Sequence, residues 1–266
     1  MSRTVAPNAL VWAPLRALAR VEGGKLARHP VFLMGVGFVL VGSGLFVRAT
    51  MTDQGATWDD DGWPVSAGLI LLAILTMVAA NLASLRDRRE DTTEQHATLP
   101  VERSTRTGAL IAATVWPAGA AALLLAGVAG YAATREAMTG LEQVHLAERL
   151  VAVVMLGALG VALAVWLPSP FVAVVVAWGL LFVSPGEYPQ TWHVLTPFAG
   201  LTDPGLALWH LAYLMGLAIV FGVVALVRTS RGPSLIVAGI VGTAIVIVSA
   251  AILIPGGCPA LGRCLF

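Results

Sequence analysis

The chain has 266 residues, of which 58% are hydrophobic and 12% charged, and a formal net charge of +1. With a mean hydropathy of +0.83 it has too little polar surface to clothe a soluble globule of this length. Soluble enzymes and nucleic-acid-binding proteins are therefore excluded, and the composition predicts an all-α integral membrane protein whose first partner is the lipid bilayer.

Residues 1–30 are expected to form a cytoplasmic amphipathic interfacial segment, with a disordered basic leader as the alternative. From Leu10 to Leu26, the apolar positions Leu10, Val11, Leu15, Leu18, Val21 and Leu26 face Arg16, Arg20, Glu22 and Lys25 at helical spacing. This predicts an amphipathic interfacial helix along the inner membrane face. The apolar run starts only at Val31 and no small-residue cleavage site follows before Asp53, so a cleaved signal peptide is not expected.

Residues 31–254 hold the spans. Runs long enough to cross about 30 Å of hydrocarbon at about 1.5 Å per residue are Val31 to Val47, Val65 to Leu85, Gly108 to Ala133, Leu150 to Leu167, Leu206 to Val227 and Ser234 to Ile254. Phe171 to Val183 reaches only about 20 Å as a straight helix. Six to seven transmembrane helices are expected, seven if this short run crosses.

Charge sets the expected orientation. With the N-terminus in the cytoplasm, twelve of the 16 basic residues fall inside, leaving Arg48, Arg135, Arg149 and Arg263 outside. Seven crossings then place the C-terminus outside the cell membrane. Glu148 is expected outside as well, so the spans hold almost no ionisable residues at membrane depth, which disfavours a proton-coupled carrier.

Within the spans, Asn81 is expected to bond across helices or to reach the headgroups. Pro117 should kink the third span. Ala118, Ala122, Ala126 and Gly130 recur every four residues and offer either a close-approach face or alanine filler. The five histidines are scattered, and His210 reads as a packing residue rather than a ligand. In the tail, residues 255–266, Cys258 and Cys264 are flanked by turn-forming Gly and Pro on the oxidising side; a short disulfide loop is expected, with two unpaired thiols as the alternative. No catalytic constellation and no metal-ligand spacing occurs.

The densest charge lies between the second and third spans, in Arg86-Asp87-Arg88-Arg89-Glu90-Asp91-Thr92-Thr93-Glu94, followed by Leu99-Pro100-Val101. With the interfacial helix, the Arg28-His29-Pro30 entry and two preceding spans, this segment resembles the ABC-2 type permeases, the membrane subunits of ATP-binding-cassette exporters. Thr93, Glu94, Pro100 and Val101 match the family's degenerate consensus, while Thr92 stands where glycine is usual. The resemblance implies that residues 86–106 carry a cytoplasmic coupling helix, with Asp91, Thr93, Glu94, His96, Leu99, Pro100 and Val101 docking the ATPase. It also implies outer re-entrant helices in 184–205, where Ser184-Pro185-Gly186 and Thr196-Pro197-Phe198 alternate breakers with aromatics. The span 234–254 is one more than the family's usual six.

The chain has no Gly-x-x-x-x-Gly-Lys-Ser/Thr phosphate loop. It is therefore expected not to be an enzyme and to hold no cofactor, with ATP and Mg carried by separate ABC ATPase subunits. The implied function is a permease that pairs with a second permease copy or homologue to export a hydrophobic or amphipathic cargo. The alternative is a non-transporting anchor or signalling subunit that uses the same segment to dock a cytoplasmic partner.

Overall fold

A computed structural model describes residues 7–52, 63–89, 102–134, 140–182, 204–230 and 232–256, which form helices and no strand. In chain order these are α1 (Pro7–Ala27), α2 (Pro30–Thr52), α3 (Trp63–Arg89), α4 (Arg103–Ala113), α5 (Val115–Thr134), α6 (Gly140–Trp166), α7 (Pro170–Phe182), α8 (Pro204–Val227) and α9 (Pro233–Gly256). Six helical stretches are long and apolar enough to cross a membrane, with α4 and α5 counted as one. The protein is thus an all-α, multi-pass membrane protein.

The bundle is built around α3 and α6, whose apolar windows are 67% and 61% buried, against 11% for α9. The central pair is joined by backbone contact. A Cβ on Gly160 of α6 would lie 2.2 Å from the carbonyl oxygen of Met77 on α3. Only glycine permits that approach, and it brings the Gly160 carbonyl to 3.3 Å from Asn81 Nδ2, which donates to it. Asn81 therefore bonds across helices, one of its two expected roles. On the other flank of α3, Gly42 and Gly68 do the same for α2: a Cβ on Gly42 would meet the Pro64 carbonyl oxygen at 2.2 Å, and one on Gly68 the Phe38 carbonyl oxygen at 2.8 Å. The buried face of α2, Phe32, Gly35, Val39, Gly42, Phe46 and Thr50, alternates steps of three and four residues, the spacing of a seam between two antiparallel helices.

These contacts also fix helix directions. Gly35 meets Leu72 and Gly42 meets Pro64, so α2 and α3 are antiparallel. Ser66 with Arg149 and Met77 with Gly160 make α3 and α6 parallel. Glu148 with His210 and Trp166 with Val224 make α6 and α8 parallel, and Gly216 with Val246 together with Gly239 and Val223 make α8 and α9 antiparallel. Two parallel neighbours separated by residues 167–203 require the chain to return from one end of the bundle to the other between them. The 13-residue α7 supplies about 20 Å of that path and buries Ala173 and Ala177. The start of α2 and the end of α9 consequently lie at opposite ends of the bundle. Reporters fused at Met1 and after Phe266 should therefore mature on opposite sides of the membrane; activity of both in the cytoplasm would refute this chain path.

The third span is one helical stretch, Arg103–Thr134, whose regular hydrogen-bond ladder is interrupted at Thr114. There the backbone N–H and Oγ1 both bond to the Ile111 carbonyl, at 3.1 and 2.7 Å. Pro117 lies three residues on, and it lacks the N–H that would bond to the Ala113 carbonyl. The interruption lies one turn before the proline, at Thr114, which keeps helical dihedrals (φ −67°, ψ −14°) and is fully buried, and a Cβ on Gly157 of α6 would lie 2.7 Å from its side chain. The 20 residues of α5 alone cover about 30 Å. That leaves α4 free for another task.

Candidate functional site

Asp91, Thr93, Glu94, His96, Leu99, Pro100 and Val101 lie outside the described residues, as do Cys258, Cys264 and residues 184–203 of the expected re-entrant stretch. The two helices that flank the expected docking segment, α3 ending at Arg89 and α4 beginning at Arg103, are described.

Helix α4, Arg-Ser-Thr-Arg-Thr-Gly-Ala-Leu-Ile-Ala-Ala, is amphipathic: its first turn carries Arg103, Ser104 and Arg106, while Thr107, Ala109 and Ala113 are buried. Ser104 Oγ donates to Glu102 Oε2 at 3.1 Å at the helix start. The apolar side of α4 is wedged among the ends of other helices. Leu110 and Ile111 pack against a buried cluster of Ala80 from α3, Val161 and Ala162 from α6 and Ala225 from α8. Small residues fill this junction, which lets four helices converge at one point.

Helix α1 covers the same junction. A Cβ on Gly108 of α4 would touch Leu15 at 3.4 Å, and one on Gly23 of α1 would overlap the Trp116 ring at 2.1 Å. The buried face of α1 is accordingly Ala19, Gly23 and Leu26, while Val21, expected on its apolar side, is 54% exposed. Glu22 ties α1 to α3 through Arg86 at 3.6 Å and pairs with Lys25 at 2.8 Å. At this basic end, Arg228 donates to the Val165 and Trp166 carbonyls at 2.7 and 3.2 Å and stacks 5.4 Å from the Trp166 ring centre. A cation there satisfies the free carbonyls at the C-terminus of α6 and fastens α6 to α8.

At the opposite end sits a polar layer that differs from the sequence expectation. Glu148 and Arg149 lie within the apolar span that starts at Val144, not beyond it, and both are buried. Successive helical residues point about 100° apart, so the two reach different neighbours. Glu148 Oε1 is 3.1 Å from His210 Nδ1 on α8, with each side chain 1% exposed. The Arg149 guanidinium donates to Ser66 Oγ on α3, and the His210 ring stacks on Tyr213 with centroids 6.2 Å apart. The spans therefore do carry ionisable residues, about one turn in from their ends. Their sequence signal is an acidic and a basic residue side by side just before an apolar run, and the structure starts the helix at Gly140, about one turn before the span.

Each of these buried polar contacts joins α6 to a different helix, so the layer acts first as a clamp. Glu148→Ala removes the contact to His210 and the counter-charge within electrostatic reach of Arg149. It should cost about 3–5 kcal/mol. His210→Leu leaves Glu148 beside Arg149 and should cost clearly less. Thermal unfolding in detergent gives the order, and His210→Leu proving the more damaging would refute the clamp.

Among the described residues no group of three or more His, Cys, Asp or Glu could hold a metal ion. A scan against protein-family models finds no match, and no curated protein matches the sequence.

Proposed function

We propose that this chain is the membrane subunit of an ABC-2 type exporter, working with a second permease copy or homologue and with separate ATPase subunits. The observation that carries this reading is the position of α4. It follows the charged segment 86–102 in sequence, is separated from α5 by the break at Thr114, and presses Leu110 and Ile111 against the ends of α3, α6 and α8. A displacement of the docked segment by closing ATPases would move α4 as a short rigid lever about Thr114 and spread those three helices at one end. Residues Asp91 to Val101 would form the contact. The cargo would be hydrophobic or amphipathic, such as a lipid, peptide or antibiotic, because the helix faces available to line a path are apolar and small.

The test is isolation of the chain from its native membranes in mild detergent, with identification of co-eluting proteins and reconstitution in vesicles. Stoichiometric recovery of a phosphate-loop ATPase and ATP-dependent cargo movement are expected. A co-eluting partner without a nucleotide fold would favour the anchor or signalling alternative and refute the exporter.

A further inference from the structure

A cavity of about 500 Å³ opens at the basic end, where the α1–α2 junction meets the last turns of α3; Lys25, Arg28, His29, Pro30, Ala83 and Arg86 are among its lining residues. Three basic side chains, Lys25, Arg28 and Arg86, thus line the cavity, with Glu22, bound to Lys25 and Arg86, as the carboxylate beside them. Burial, and secondarily Arg86, lowers the pKa of His29 below its usual 6.5, so the imidazole adds hydrogen-bonding capacity and little charge. The N-terminus of α2 begins here too, at Pro30, adding the positive end of a helix dipole. So many cations around a cavity call for an anion, and their planar or multi-donor heads suit phosphate oxygens.

The neighbouring surface identifies the carrier of that phosphate. Pro30 lines the cavity, and one to three turns along the same side of α2 come Leu33, Met34, Phe38 and Val41, all exposed and apolar. A cationic cavity at the end of an apolar span, continued by an unbroken apolar track along the span, matches a headgroup followed by acyl chains. A soluble phosphate compound would use the cavity but leave the track unused.

We propose that Lys25, Arg28, His29 and Arg86 bind the phosphate headgroup of an anionic phospholipid, with its chains lying along α2. The site stands independently of the exporter reading. Occupancy would brace α1 against α3, the contact otherwise made by Glu22 and Arg86.

The test titrates fluorescent phosphatidylglycerol into the delipidated protein held in phosphatidylcholine nanodiscs. Each exposed cation removed should weaken binding about 5-fold, so Lys25→Gln with Arg28→Gln together should lose about 25-fold. Arg20→Gln removes an exposed charge from α1 outside the cavity and should change affinity less than 2-fold. A loss of about 5-fold in Arg20→Gln, the same per charge as in the double variant, with unfolding midpoints unchanged, would reduce the effect to general surface attraction and overturn the site. In a second arm, inorganic phosphate and glycerol phosphate compete with the labelled lipid. Displacement only at concentrations far above those of unlabelled phosphatidylglycerol is expected, and equal potency of the soluble phosphates would overturn the lipid assignment.

Discussion

Gly160→Ala is expected to cost about 3 kcal/mol or more, and Gly160→Leu to leave no folded protein in membranes. The added Cβ would lie 2.2 Å from the Met77 carbonyl oxygen, so the obstacle is helix backbone and no side-chain rotation relieves it. Separating α3 from α6 by even one ångström has two further consequences. It breaks the bond from Asn81 Nδ2 to the Gly160 carbonyl, leaving a fully buried amide without its partner, at about 1–3 kcal/mol. It also loosens Arg149 from Ser66 higher in the same interface. Overpacking a core side chain usually costs about 1–3 kcal/mol; this site adds the lost hydrogen bond to that. Gly127 on α5 is the control, because it is exposed and a Cβ there meets nothing within 4 Å. Gly127→Ala should be neutral or stabilise the helix by up to about 1 kcal/mol. Expression and thermal unfolding in detergent measure both, and a Gly160→Ala variant as stable as Gly127→Ala would mean that α3 and α6 are not in backbone contact.

The spans were legible because length and hydropathy act through one strong constraint: about 20 apolar residues must pair their backbone groups internally within hydrocarbon. Which face each helix buries was much less so. The four-residue repeat Ala118, Ala122, Ala126, Gly130 looked like a contact stripe, yet Ala118 is buried while Ala126 and Gly130 are exposed. Steps of four residues drift by about 40° per repeat around a helix of 3.6 residues per turn. The buried face of α5 instead follows Ala118, Ala121, Leu125, Val128 and Ala132, mixing steps of three and four. For α3 no face could be read at all, since it is apolar all round and packed from several sides, which is what a central helix requires.

The polar layer and the lever were missed for different reasons. Glu148 and Arg149 were read as marking the end of the membrane because a charge normally does. In the bundle, His210 and Ser66 from two other helices supply partners that only tertiary structure reveals. In the third span, Pro117 announced a bend, but the break falls where Thr114 can use its own hydroxyl on the Ile111 carbonyl, a local competition that hydropathy does not register. Its consequence is that α4 is set apart from α5 and, with α3, links the charged segment to the packed spans.

That connection makes the proposed docking segment the place where the largest functional loss is expected. Glu94→Lys combined with Leu99→Asp should abolish association with an ATPase subunit while leaving membrane insertion and folding intact. Both residues precede α4 in sequence and lie outside the described residues. At the proposed contact the two changes act in sequence. Glu94 sits where the family resemblance places an acidic residue. As a solvated carboxylate it would be worth no more than about 1 kcal/mol, so Glu94→Lys alone should weaken the complex modestly. Leu99 is the proposed apolar anchor, and an unpaired carboxylate forced into a dry interface costs about 3–5 kcal/mol. Every 1.4 kcal/mol is a tenfold change in affinity, so this alone amounts to at least about 100-fold, enough to lose a partner during purification. The measurement is co-purification from native membranes, with the unfolding midpoint of each variant as the check on folding. Recovery of wild-type amounts of ATPase with the double variant would refute the coupling-segment assignment, whereas an ATPase retained by Glu94→Lys and lost with Leu99→Asp would place the binding energy in the apolar anchor and the specificity in the charge beside it.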